Sequence, residues 1–148
     1  MTWAPYQLER IKIEDVLIRR YFPTFQFSYH NDIFSWKGWM CTNNNNYYEI
    51  KIVLPPNFPE DVPRAYITRP YPIYDFKGTL LSSLGTSHNM HTFRSDNEFV
   101  RLCIFRPERW SSDITVYKCL KKVRLWIEAF DRHKKTGELM CDLLGTQY

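Results

Sequence analysis

The sequence lacks any long apolar run, and no window approaches the roughly 18 apolar residues that a membrane-spanning helix needs. No membrane partner is therefore expected. Its N-terminus, MTWAPYQLERIKIEDV, carries charges in its first turns and no apolar core segment, which argues against a secretory signal. A cytoplasmic location follows as an expectation, and there thiols stay reduced. Glycine is scarce, at five of 148 residues, and no glycine-rich phosphate loop occurs, so nothing resembles an ATP-binding or adenylating motif. Cysteine is sparse too: Cys41, Cys103, Cys119 and Cys141 are widely spaced with no C-x-x-C pair, which removes the usual spacing for zinc. Neither metal nor cofactor is expected. The net charge of +4 is a mild excess, carried in short runs such as Lys121-Lys122 and Lys134-Lys135. These runs read as solvated helix faces rather than the basic stripe that nucleic acid requires.

What is abundant is aromatic. Phe, Trp and Tyr make up 17% of the chain, which favours a dense core. A chain of this length can bury enough surface to fold without disulfides, and residues 1–148 read as a single domain. Residues 4–20 predict a helix, with Pro5 in its first turn. Ile13, Val16 and Leu17 share one face, and Glu9, Arg10, Glu14 and Arg19 point elsewhere. Pro23 stops it. Phe25, Phe27 and Tyr29 alternate at strand period, "HND" turns the chain, and "IFSWKGWMC" runs to the loop "TNNNN". The clearest strand alternates Tyr48, Ile50, Ile52 and Leu54 with Glu49, Lys51 and Val53. A proline-braced loop and the short strand "RAYIT" follow.

Between residues 70 and 90 the pattern lapses into an expanded loop or inserted element. Beyond the cysteine region, Ser111, Ser112 or Asp113 can cap a long helix. Its apolar face is Val116, Leu120, Val123, Ile127 and Phe130. Gly137 ends that helix, and "ELMCDLL" suits a final short one. The expected architecture is α+β: an N-terminal helix, a four-stranded antiparallel meander and C-terminal helices.

The chemistry concentrates in "HTFRSDNEFVRLCIFRPERW", residues 91–110. Cys103 follows an apolar run and precedes an irregular segment, so it sits where a short extended piece leaves the core. Arg101, Arg106 and Arg109 surround it in sequence and are cations of the kind that stabilise a thiolate. A thiol can accept an acyl group as a thioester and pass it on without metal or cofactor. His91 can fix the local backbone or act on protons. The bland reading makes Cys103 a small buried hydrophobe and His91 a satisfied loop residue. A cysteine protease would draw a base and an orienting group from His88, His91, Asn89, Asp96 and Asn97, but carries local signatures that are missing here. His30 and His133 read as surface residues.

The chain resembles the ubiquitin-conjugating enzyme family along nearly its whole length, most strongly over "YEIKIVLPPNFPEDVPRAYITR", Tyr48 to Arg69. The family then carries a His-Pro-Asn segment, a Gly-x-Ile-Cys segment with the catalytic cysteine, and a tryptophan eight residues on. Here "HTF" begins at His91, "VRLC" ends at Cys103, and Trp110 follows after seven. The resemblance implies that Cys103 forms a thioester with a protein C-terminus and delivers that acyl group to an amine. His91 would be a structural brace, with Trp110 and Tyr48 bracing the shelf around the site. Phe93 stands where the family has an oxyanion-stabilising asparagine, which leaves His88, Asn89, Asn97 or a backbone amide as substitutes. The histidine-to-cysteine interval is two residues longer than in the family, so His88 rivals His91. Glu60, Ser112 and Asp113 replace the apolar residues by which the family docks ubiquitin ligases.

Such divergent stand-alone forms resemble those of bacterial anti-phage operons of the cyclic-oligonucleotide (CBASS) kind. The partners so implied are a cGAS-like nucleotidyltransferase, which would be primed by the reaction, or a ubiquitin-like protein, each carried through its C-terminus. A separate adenylating enzyme, to activate that C-terminus, is a further partner the resemblance implies. From another class, the chain could be a non-catalytic scaffold that binds a synthase or a ubiquitin-like protein.

Overall fold

The computed structural model describes residues 3–145; Met1, Thr2 and residues 146–148, the ends of the single-domain reading, lie outside them. Helix α1 spans Pro5–Tyr21, and four strands follow in sequence: β1 (Gln26–His30), β2 (Ile33–Cys41), β3 (Tyr47–Val53) and β4 (Arg64–Arg69). They form the expected antiparallel meander. Two short strands then extend the sheet, β5 (Thr92–Phe93) and β6 (Val100–Leu102), giving six strands in the order β1-β2-β3-β4-β6-β5. Four strands were expected; runs of two and three residues are too short to display a period, and only pairing reveals them. Helices α2 (Val116–Thr136) and α3 (Met140–Leu144) complete the α+β architecture.

The turns form where the sequence provides residues that tolerate left-handed backbone angles. Asn31 and Asp32 sit at φ 50° and 64° between β1 and β2, and Asn45 at 63° between β2 and β3. One sheet face is apolar and covered. Phe34, Trp36 and Met40 on β2 join Tyr48, Ile50 and Ile52 on β3, with Ala65 and Ile67 on β4 and Val100 and Leu102 on β6 in register beside them. The opposite face of β2 and β3 presents Lys37, Trp39, Glu49 and Lys51. At Gly38 a Cβ would come within 2.6 Å of the Phe25 ring, so the chain after α1 passes too close for any side chain there.

Helix α2 buries Val116, Leu120, Val123, Ile127 and Phe130 as its period predicts, and adds Cys119 and Trp126. Its N-cap is Thr115, whose side chain accepts from the Lys118 amide, and not Ser111, Ser112 or Asp113. Gly137, at φ 78°, ends it as expected.

Helix α1 corrects its expected faces. Ile13 and Val16 are exposed, at 59% and 65%, and the buried residues are Gln7, Ile11, Glu14, Asp15 and Ile18. The polar ones are paired. Gln7 donates to the carbonyls of Pro56 and Phe58 at 2.9 and 2.8 Å. Glu14 accepts from the Val116 amide at 2.8 Å and from Arg10 at 2.7 Å, so it serves an amide at the start of α2. Asp15 accepts from the Trp36 indole at 3.0 Å and pairs with Arg19. Directional bonds fix this helix as much as apolar burial does. Among the described residues, no helix is long and apolar enough to cross a membrane.

Candidate functional site

Residues 70–90 form a laced connection rather than a structureless loop. Tyr74 bridges Leu80, a 3-10 turn spans Leu81–Ser83 around the buried Leu81, and Ser87 bridges Thr92. Asp75 closes its first bend by accepting from the amides of Lys77 and Thr79, both through Oδ1 at 2.9 and 2.8 Å. The segment thereby delivers Thr86, Ser87 and His88 to the same edge of the sheet as β5.

Cys103 directly follows β6, and its amide donates to the His91 carbonyl at 2.9 Å, extending the β5–β6 pairing by one step. The same carbonyl accepts from the Trp126 indole of α2 at 3.1 Å. His91 sits at φ 54°, a left-handed conformation that costs a non-glycine residue energy and is held here by the two bonds to its carbonyl. The His91 carbonyl thus joins the cysteine backbone to the core helix. The His91 ring is buried and lies 5.7 Å from the exposed His88 ring. Burial, aided by His88, Arg106 and Lys122, holds its pKa below the ordinary histidine value.

A cleft of about 160 Å³ is lined by Thr86, Ser87, His88, His91, Thr92, Phe93, Cys103 and Arg106. The fold therefore brings Cys103 together with both candidate histidines. Asn89 goes elsewhere: its carbonyl accepts from the Cys141 amide at 3.0 Å and its side-chain oxygen lies 3.8 Å from the Cys141 thiol. Asn97 closes a local turn with Ser95 and Phe99. Asp96 accepts from Tyr66 and Arg64 on the outer face of the sheet. The asparagines and the aspartate are thus engaged in other bonds, and among the described residues none of them lines the cleft as a protease-like third member. Of the side chains considered as substitutes for an oxyanion donor, only His88 lines the cleft.

Trp110 lies outside the cleft. Its indole donates to the Pro59 carbonyl at 2.9 Å and its ring meets Phe105 edge-on at 5.5 Å, tying the segment after Cys103 to the proline-braced loop. Tyr48 is further removed from the shelf role expected of it. Its hydroxyl donates to Asp131 of α2 at 2.8 Å in the core, and burial pushes its pKa far up.

The electrostatics of Cys103 are a contest. Burial raises the thiol pKa, and Arg106, Lys122 and Arg101, in that order, pull it down, with Glu108 opposing them least. Burial prevails. The expectation that flanking arginines leave a depressed thiol is corrected in sign, and Arg109 bears on Lys122 instead. Lys122 was the residue sequence reasoning missed. Read as part of a solvated run, it is half-buried, with its Nζ 3.9 Å from the centre of the Phe105 ring. It lies nineteen positions beyond the cysteine, on a helix, where no local pattern marks it.

The remaining thiols differ. Cys119 is fully buried, its pKa pushed strongly up by burial and by Glu14. Cys141 is half-buried, and Cys41 ends β2 half-buried. Glu60, Ser112 and Asp113 are all exposed. Among the described residues, no group of three or more His, Cys, Asp or Glu is placed to hold a metal. Compared with known proteins, the chain matches no family model, no curated protein and no solved structure.

Proposed function

We propose that the protein carries the C-terminal acyl group of another protein as a thioester on Cys103 and transfers it to an amine, in the manner of the ubiquitin-conjugating family that its sequence resembles. The observation that carries this reading is the convergence of Cys103, His88, His91 and Arg106 on one cleft, with the cysteine backbone held through His91 to α2. In the first step the Cys103 thiolate attacks the carbonyl carbon of an activated C-terminus, and the activating group leaves with the electron pair of its bond. In the second, a neutral amine attacks the thioester carbonyl, the C–S bond breaks, and Cys103 departs as thiolate while the amine nitrogen gives up a proton. His88, at the exposed mouth, is the side chain available to take that proton or to stabilise the oxyanion. A separate adenylating protein would supply the activated C-terminus. A cGAS-like nucleotidyltransferase or a ubiquitin-like protein would be the cargo, in a setting of bacterial antiviral defence.

A second reading, a non-catalytic scaffold of the same shape, draws on two observations. Phe93 lines the cleft with no hydrogen-bond donor at the family's asparagine position, and burial raises the Cys103 thiol. Expression of the native chain and of Cys103→Ala with their genomic neighbours separates the two. A reductant-sensitive adduct, present on the native chain and lost in the mutant, supports acyl transfer, and its intact mass names the cargo. Cys103→Ser should trap the same cargo as an ester that survives thiol reductant. A partner bound equally by native and Cys103→Ala chains, without covalent linkage in either, supports the scaffold.

A further inference from the structure

The two ends of the sheet are finished differently. At one end β5 is two residues long, and Thr92 on it bridges Ser87, so little open edge remains. At the other end β1 runs for five residues, all exposed and paired on the β2 side alone. Natural edges are commonly blunted by proline, charge, a bulge or a covering loop. Gln26–His30 holds no proline, lysine, arginine, aspartate or glutamate, and its register with β2 is unbroken. Among the described residues, no backbone bond reaches the strand from outside the hairpin. The two-residue turn at Asn31 and Asp32 makes His30 and Ile33 the bonded pair that closes the hairpin. Bonding to β2 then alternates through Ser28 and Gln26, and the amides and carbonyls of Phe27 and Tyr29 face the open edge.

The same two residues carry the apolar side of that edge. Phe27 stacks on Phe34 at 5.6 Å and Tyr29 does so at 4.4 Å, on the helix-covered face. There a groove of about 640 Å³ opens, with Leu8, Lys12 and Val16 of α1 on one wall and Phe27 and Phe34 on the other. A groove walled by an open strand edge suits another strand, since an extended chain meets both the backbone groups and the apolar row. We infer that β1 pairs antiparallel with β1 of a second copy of this chain, about a two-fold axis at Ser28, joining two sheets into one and two grooves into one apolar seam.

The strand is complementary to itself about that axis. Outward-bonding residues meet each other, Phe27 against the second copy's Tyr29 and the reverse, as aromatic cross-strand pairs. No like charges are opposed along it. The rim agrees as well. Asp15 is bonded to Trp36, the β2 partner of Phe27, and Trp3 to the carbonyl of Asp32, so the axis lies level with the part of α1 between them. There Glu9 and Lys12 stand exposed, 3.5 Å apart, both lining the groove. Antiparallel helices would set Glu9 of one copy toward Lys12 of the other, so opposite charges face across the seam. The edge shares no lining residue with the Cys103 cleft, and the inference does not rest on acyl transfer.

Sedimentation velocity of the intact chain over a concentration series tests it, and a reversible monomer–dimer equilibrium is expected. Ser28 would face itself in a non-bonded pair, whose Cα atoms lie about 4.5 Å apart, within disulfide reach. Under mild oxidation Ser28→Cys should therefore yield mainly a disulfide-linked dimer. His30→Cys, which would face the second copy's Gln26, should cross-link no more than the native chain. Tyr29→Pro removes an outward amide without costing a bond to β2, and Val16→Asp charges the exposed wall of the groove. Each should weaken the dimer roughly tenfold or more and leave the circular dichroism of the monomer unchanged. A chain that stays monomeric at every concentration overturns the inference and leaves the edge to a strand from another protein. A dimer indifferent to both substitutions, or equal cross-linking at positions 28 and 30, overturns it too.

Discussion

Helices α1 and α2 cover the same face of one sheet by different means. Helix α2 is held by an apolar stripe in which Leu120, Val123, Trp126 and Ile127 have no exposed surface. Helix α1 buries Ile11 and Ile18, but between them it buries Glu14 and Asp15, and it leaves Ile13 and Val16 in solvent. Apolar burial is non-directional and tolerates adjustment, whereas a buried carboxylate must meet its donors at hydrogen-bond geometry. So α2 builds the core, and α1 is registered against it by bonds to Val116, Trp36 and the loop after β3. The teaching is that two amphipathic helices of similar length can have opposite relations between hydrophobicity and burial.

Substitutions on each helix would break or sharpen that contrast. The largest effect should come from Trp126→Ala on α2. It empties a fully buried aromatic volume and strips the His91 carbonyl of one donor, and a loss of about 4 kcal/mol is expected in chemical unfolding. Next is Glu14→Ala on α1, which leaves a buried amide of α2 and the Nε of Arg10 without their acceptor. About 3 kcal/mol should be lost, and Glu14→Gln should recover part of it. If Glu14→Ala instead costs no more than an exposed substitution, the idea that α1 is registered by its polar bonds fails.

A pH series probes where α2 meets the site. The His91 pKa is held below its unfolded value, so the folded state prefers the neutral ring. Its contribution is complete above the unfolded pKa of about 6.5 and is lost as pH falls below it, because the unfolded chain then binds the extra proton. The Tm of the native protein should therefore drop between pH 7.5 and 5.5 by more than that of His91→Asn. Asparagine is the suitable replacement because it tolerates the positive φ. Parallel curves would show that His91 does not contribute to the acid sensitivity. The smallest effect should be at Val16→Ser on the exposed side of α1, within about 0.5 kcal/mol of the native stability.

The site divides along similar lines. That Cys103 leaves a short extended piece at the edge of the core was legible from "FVRLC" and the irregular "RPERW" after it. That His88 and His91 both reach the same cleft was not, because the lacing of residues 70–90 and the left-handed turn at His91 depend on bonds made to residues distant in sequence. The sign of the Cys103 shift was misjudged for a related reason. Sequence lists the arginines but cannot weigh them against burial, which is set by everything packed around the thiol. Asn89 and Asn97 looked available because their partners, Cys141 and the Ser95 turn, become apparent only once the chain is folded.

By itself, the sequence determined the long helix α2, the first four strands and their turns, and the glycine stop at Gly137, because each depends on periodicity or on a backbone preference local to a few residues. Only tertiary structure decided the rest. It chose which face of α1 is buried, since Glu14 has value there only once Val116 offers its amide, and it paired β5 and β6, which are too short to form alone. It also gathered Arg101, Arg106 and Lys122 around one thiol. Pairing energies and fields depend on distances across the fold, and separation along the chain does not encode them.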